Sequence, residues 1–105
     1  MTHDNLVARR QVTISNALGL HMRPAGEFAR LASGFASTVT VVYNGRQHNG
    51  KSILDLTSLA AECGTTLDLE ARGPDAEAAI AALSGLVLAR FHENDQGHQV
   101  EDPAP

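Results

Sequence analysis

The chain has a single cysteine, Cys63, among 105 residues, which excludes an internal disulfide and any Cys-x-x-Cys metal or redox pair. A lone thiol of this kind is expected as a small buried hydrophobe. Positive charge is also scarce. Lys and Arg number 8 against 12 Asp and Glu, for a net charge of -4, so there is no basic field to hold nucleic-acid phosphates. No apolar run approaches the roughly 18 residues of a membrane span, and MTHDNLVARRQ has no apolar segment of signal-peptide length. A cytoplasmic protein with neither nucleic-acid nor membrane partners is expected. The histidines at 3, 21, 48, 92 and 98 include no pair at the four-residue helical spacing of a zinc site. No metal or cofactor is expected.

What is present, 43% hydrophobic and 19% charged residues, suits one compact domain. Residues 11–15 alternate, with Val12 and Ile14 on one face, and residues 38–43 are rich in β-branched side chains. A third strand is marked by Leu67, Leu69 and Ala71 alternating with Asp68 and Glu70. Asn44-Gly45 is the pair that best supplies two positive φ angles, so residues 46–49 should fold back antiparallel as a fourth strand.

Helical spacing links Ala25, Phe28, Ala29, Ala32 and Phe35, with Ser33-Gly34 as the stop. A second helix is expected over 53–62, capped by Ser52, with Ile53, Leu56, Leu59 and Ala60 inward and Cys63-Gly64 ending it. Asp75 should open a third, whose stripe is Ala76, Ala79, Ile80, Leu83, Val87 and Phe91. Residues 1–9 then read as a flexible segment and 92–105 as a disordered polar tail. The order βαββαβα predicts an α+β fold. Two layers are expected, with the three helices on one face of a mainly antiparallel sheet of four strands.

Two stretches invite a chemical reading. Residues 45–52, GRQHNGKS, match the letters of a nucleotide phosphate-binding loop. Such a loop joins a buried parallel strand to a helix, whereas Asn44-Gly45 signals a hairpin here. Ser52 as a helix cap, with Asp55 three residues on, explains the same residues.

The other stretch is NALGLHMRPAG, residues 16–26. If His21 is the N-cap, Pro24 lies in the first turn, where its missing N–H costs no hydrogen bond. The N–H groups of Met22 and Arg23 then point outward at the positive end of the helix dipole, and Arg23 adds a charge shaped for phosphate oxygens. A phosphoryl group on His21 would sit among them, since imidazole is a competent nucleophile at neutral pH and a phosphoramidate can pass its group onward. The same text also suits a histidine that only caps the helix or satisfies a backbone carbonyl.

Gly19-Leu20-His21-Met22-Arg23-Pro24-Ala25 resembles the active-site signature of the HPr family, the histidine-containing phosphocarriers of the bacterial phosphoenolpyruvate-dependent phosphotransferase system. Lys51-Ser52-Ile53-Leu54, Leu59-Ala60-Ala61 and Gly64 resemble its second, serine-centred signature, and Gly73-Pro74-Asp75-Ala76-Glu77 the approach to its last helix. The resemblance covers residues 10–91. It implies an open-faced sandwich in which three helices cover a four-stranded antiparallel sheet, in agreement with the element order, and a stoichiometric carrier without turnover of its own. Enzyme I would phosphorylate His21 at Nδ1, with Arg23 as electrostatic partner, and an Enzyme IIA would receive the group for sugar uptake. It further implies Ser52 as a regulatory site for an HPr serine kinase/phosphorylase, and a docking patch of Met22, Ile53 and Leu54.

Asp55 stands where sugar-transport members usually have glycine, and Gly26 and Glu27 lie where members differ. Asp55 brings negative charge to the docking face, and a carboxylate there also stabilises a helix start. Two further readings stand beside sugar transport. One is a regulatory relay of the nitrogen-type system, and the other a module that binds an anionic metabolite without covalent chemistry. A monomer is expected, because a carrier must offer one patch to successive partners.

Overall fold

The computed structural model describes residues 6–93. Asn44 and Gly45 both take positive φ, 54° and 76°, and close strand β2 (Thr38–Tyr43) onto β3 (Arg46–Asn49) with Tyr43 opposite Arg46. This is the turn expected of that pair. β1 (Val7–Thr13) and β4 (Thr66–Arg72) complete a sheet of order β1-β4-β2-β3 in which every neighbouring pair is antiparallel.

The helices are α1 (Met22–Ser33), α2 (Ile53–Ser58) and α3 (Ala76–Leu88), followed by a short 3₁₀ turn at Arg90–His92. α3 packs on β1 and β4, and α1 packs against α2 and α3. Val39, Val41, Leu56, Leu69, Leu83 and Phe91 are all 1% exposed or less in the shared core. Burying each such side chain is worth about 1.5–3 kcal/mol against leaving it in water. The expected element order and two-layer arrangement hold, and no helix among the described residues is long and apolar enough to cross a membrane.

Several boundaries differ from expectation. β1 begins at Val7, so residues 7–9 belong to the sheet and not to a flexible segment. Ala8 continues the inward face of Val12 and is buried, while the Arg9-Arg10 pair between them hides the alternation in the sequence. Arg9 is matched across the sheet by Glu70 at 3.5 Å, and Arg72 reaches the same carboxylate at 2.7 Å. α2 stops at Ser58, because Ala60 turns into the left-handed region at φ 52°. Ala60 is therefore exposed, Ile53 at the start of the helix is 41% exposed, and only Leu56 and Leu59 of the four expected residues face inward. Cys63 is exposed, since the chain has already left the helix there. Of the expected tail, His92 and Glu93 are ordered in the fold. Residues 1–5 and 94–105 lie outside the described residues.

Asp75 precedes α3, but its side chain makes no cap hydrogen bond. It crosses to the α1–β2 connection, where it accepts hydrogen bonds from the backbone N–H groups of Ala36 (2.8 Å) and Ser37 (2.9 Å) and from the Ser37 hydroxyl. The loop before α1 is fixed by an equally specific contact. The Leu20 N–H donates to the Ala61 carbonyl at 2.8 Å. Gly19 lies at φ 74°, where a Cβ would stand 2.8 Å from Glu62 Cα. Only glycine fits that approach.

Gly19→Ala should therefore lower stability by more than about 1 kcal/mol in urea unfolding followed by circular dichroism, because both backbone angle and clash oppose it. An unchanged midpoint would contradict this close packing. The Ser37 hydroxyl first, and then the Ala36 N–H, hold the Asp75 carboxyl below its ordinary value of 3.8. The unfolded chain thus binds the proton more readily. The contribution of Asp75 is complete above about pH 5 and is lost as pH falls through the folded value. The gap in midpoint between wild type and Asp75→Asn should narrow between about pH 6 and about pH 3, and a gap that stays constant would refute the assignment.

Candidate functional site

His21 is the N-cap of α1, with extended backbone at φ -83° and ψ -170°, and its own carbonyl accepts from the Ala25 N–H at 2.9 Å. Its ring makes no capping hydrogen bond. The ring turns instead to Glu93, placing Nε2 at 2.8 Å from Oε2. The N–H groups of Met22 and Arg23 open the helix, and an α-helix has no internal acceptor for such groups. Pro24, buried in the first turn, has no N–H to leave unsatisfied.

Glu93 is the hub of the site. Its Oε2 also accepts from Arg23 Nη2 at 3.0 Å, and its Oε1 from Asn16 Nδ2 at 3.1 Å. Asn16 is fully buried, and the same amide group donates to the Gly19 carbonyl at 2.7 Å, tying the site to the loop that precedes the helix. Burial pushes the Glu93 carboxyl up. The hydrogen bonds from His21, Asn16 and Arg23, with the His21 charge, outweigh that and hold it below its ordinary value. Arg23 is further paired through Nη1 to Glu27, one helical turn along α1, and its Nη2 lies 3.5 Å from the Phe91 carbonyl.

Glu93 was expected in the disordered tail, because HENDQ has no apolar pattern. One signal was available in the sequence: Phe91 closes the buried stripe of α3, so a residue two positions later cannot lie far from the core. In the sequence Glu27 is only a variable neighbour of the signature, yet it holds Arg23.

The serine-centred signature forms a separate cluster at the start of α2. Ser52 Oγ accepts from the Asp55 N–H at 3.1 Å, the cap expected of it. Asp55 is more than a helix-start carboxylate. Its Oδ2 accepts from the Asn49 N–H at 2.8 Å, and its Oδ1 lies 2.9 Å from His48 Nδ1. These two partners, the Asn49 N–H first, hold its carboxyl below the ordinary value, and they staple α2 to β3. The Lys51 ammonium donates to the Phe35 carbonyl at 2.8 Å. With residues 46–49 in a hairpin strand, GRQHNGKS is therefore not built as a phosphate-binding loop.

The two signatures share a face. A Cβ at Gly26 of α1 would stand 3.8 Å from Ile53 Cδ1 of α2, so the helix starts approach closely. Met22 (63% exposed), Ile53 and Leu54 (77%) are large apolar side chains left in water there. Leu18, 73% exposed, joins Met22 along a groove beside His21 and is a site residue that the sequence motifs do not mark. The loop that carries it is read from the sequence as a connection, without an apolar pattern to mark it. Among the described residues, no three His, Cys, Asp or Glu side chains are grouped to hold a metal.

The family model described as "PTS HPr component phosphorylation site" matches residues 8–88. A relative from Cupriavidus necator named Phosphocarrier protein HPr is 44% identical over 87 residues, covering 83% of this chain and 98% of its own. One from Shewanella violacea named Phosphocarrier protein NPr is 44% identical over 84 residues, covering 80% and 92%. Among solved structures, HPr-C-His from Thermoanaerobacter tengcongensis superposes with a TM-score of 0.80 at 38% identity, covering 83% of this chain and 98% of that one. Matched over most of its length in sequence, and in fold by a solved relative, the chain belongs to the HPr family of phosphotransferase-system phosphocarriers.

Proposed function

We propose that the protein is a cytoplasmic, monomeric phosphoryl carrier that accepts a phosphoryl group on His21 Nδ1 from phosphorylated Enzyme I and gives it to an Enzyme IIA in sugar uptake. The observation that carries this reading is the 2.8 Å contact of His21 Nε2 with Glu93 at the head of α1. An imidazole that donates through Nε2 keeps its lone pair on Nδ1. The outward N–H groups of Met22 and Arg23 and the dipole of the 12-residue α1 offer a phosphoryl group its hydrogen bonds. The Arg23 guanidinium is near enough to His21 that both contact one carboxylate, and it supplies charge for phosphoryl oxygens. In transfer, the Nδ1 lone pair forms the new N–P bond while the bond to the donor breaks and its electron pair returns to the donor. The protein itself turns nothing over, and onward transfer reverses the same step.

Docking would use Met22, Ile53 and Leu54, with Leu18 at its rim. Because Asp55 is engaged by His48 and Asn49, its role on that face is first to hold α2 in place. Ser52 would be the target of an HPr serine kinase/phosphorylase. A phosphate there adds negative charge beside Asp55 and the apolar patch, which opposes an acidic partner. A regulatory relay of the nitrogen type is the second reading, supported by the relative named NPr at the same 44% identity. The chemistry at His21 would be unchanged and only the recipient would differ.

Incubation with Enzyme I, magnesium and phosphoenolpyruvate should add one acid-labile phosphoryl group to the intact mass of the wild type and none to His21→Ala. A gain retained by His21→Ala would move the site elsewhere. No gain with a competent Enzyme I would favour non-covalent binding of an anion. Ser52→Asp should slow phosphorylation by Enzyme I on the order of tenfold, mainly through KM, while the thermal midpoint stays close to wild type. An unchanged KM would remove Ser52 from the docking face.

A further inference from the structure

We infer that Glu93 is the positioning residue that fixes His21 as its Nε2–H tautomer and so makes Nδ1 the nucleophile, delivered to the ring by a left-handed turn at the end of α3. The inference deepens the carrier reading and rests on it. Arg90, Phe91 and His92 take φ angles of 56°, 55° and 60°, three successive non-glycine residues in a region L side chains rarely enter. Such a conformation persists where the surroundings hold it, and it gathers at functional sites.

The holders are visible. Phe91 is fully buried, the His92 N–H donates to the Ala89 carbonyl at 2.9 Å, and the Glu93 N–H donates to the Arg90 carbonyl at 2.9 Å. The turn reverses the chain so that the residue after it meets the head of α1 instead of continuing away from α3. The Glu93 side chain is only 10% exposed, and both its oxygens are engaged, Oε2 by His21 and Arg23 and Oε1 by Asn16. The carboxylate can therefore rotate little, and the imidazole it grips is held with it. The Glu93 carboxyl, held below its ordinary value by these hydrogen bonds, agrees with a carboxylate that stays charged at neutral pH.

The chemistry balances without a proton from solvent. When Nδ1 attacks the phosphorus of the donor phosphohistidine, the donor N–P bond breaks and its electron pair returns to the donor ring. His21 keeps its Nε2 proton, and its ring takes up the positive charge that the donor ring loses. That charge develops facing Glu93. When the group moves on, the pair of the breaking Nδ1–P bond neutralises the ring, and the same proton is still in place. A carboxylate orienting a histidine and stabilising its cation is the division of labour known from hydrolase triads.

The test uses the full chain labelled with ¹⁵N, with histidine ring nitrogens observed by long-range proton correlation near pH 8, together with transfer kinetics from phosphorylated Enzyme I. Wild type should show the Nε2–H form of His21. Glu93→Ala should admit the Nδ1–H form and lose on the order of tenfold in kcat with a smaller change in KM. Glu93→Gln, which keeps an acceptor oxygen without the charge, should keep the tautomer and still transfer slowly. Backbone amide shifts of Phe91 and Ala89 report whether the turn survives each substitution. A wild-type His21 in the Nδ1–H form, or a Glu93→Ala chain with an intact turn and unchanged tautomer and kcat, would overturn the inference. Failure of the carrier reading looks different. The wild type would take no phosphoryl group while its tautomer still depended on Glu93, which overturns the nucleophile assignment.

Discussion

The position of His21 depends on how the chain enters α1. Two neighbouring residues fix that entry, Leu20 through its hydrogen bond to the Ala61 carbonyl and Gly19 through an approach to Glu62 that leaves no space for a side chain. Because residues 61 and 62 lie just past the turn that ends α2, the tether also sets the start of α1 beside α2. The imidazole, the outward N–H groups and the exposed Met22, Ile53 and Leu54 are brought to one face by this single constraint. Asn16 extends it, since its buried amide joins the Gly19 carbonyl to Glu93. A loop, a helix start and the end of the last helix are thus tied together by backbone and side-chain polar groups that would be costly to leave unpaired.

Electrostatics within the site follow from that geometry. Glu93 is mostly buried, and a buried carboxylate is costly unless its oxygens are satisfied. Here an imidazole, a guanidinium and an amide satisfy them, so the charge remains and orients its partners. Arg23 stands between Glu27 and Glu93. Reaching a phosphoryl group on Nδ1 requires it to share or exchange these carboxylates. In the resting site the two carboxylates thus occupy the cation that the proposed carrier role would turn to a phosphoryl group.

Much of this was legible in the sequence, and the exceptions have physical reasons. The hairpin at Asn44-Gly45, the N-cap roles of His21 and Ser52 and the buried stripes of α1 and α3 follow from local chemistry that residue types state directly. The early end of α2 does not, because the left-handed turn at Ala60 is imposed by packing and alanine carries no preference for it. The same holds at Arg90, Phe91 and His92, so the path that brings Glu93 back to His21 could not be read from a polar segment. β1 was read short because two arginines interrupt its apolar face, and their partner Glu70 is distant in sequence. The letters GRQHNGKS show the converse, a strong pattern whose lysine bonds the Phe35 carbonyl beyond α1 and whose serine caps α2.

The most direct measurement of the central claim, that a phosphoryl group is held on His21 by the start of α1, is a comparison of backbone amide shifts in the ¹⁵N-labelled protein before and after phosphorylation by Enzyme I and phosphoenolpyruvate. The largest downfield changes should fall on the N–H groups of Met22 and Arg23, with a ³¹P signal characteristic of Nδ1-phosphohistidine. Shifts centred elsewhere, around His48 for example, with Met22 and Arg23 unmoved, would contradict it.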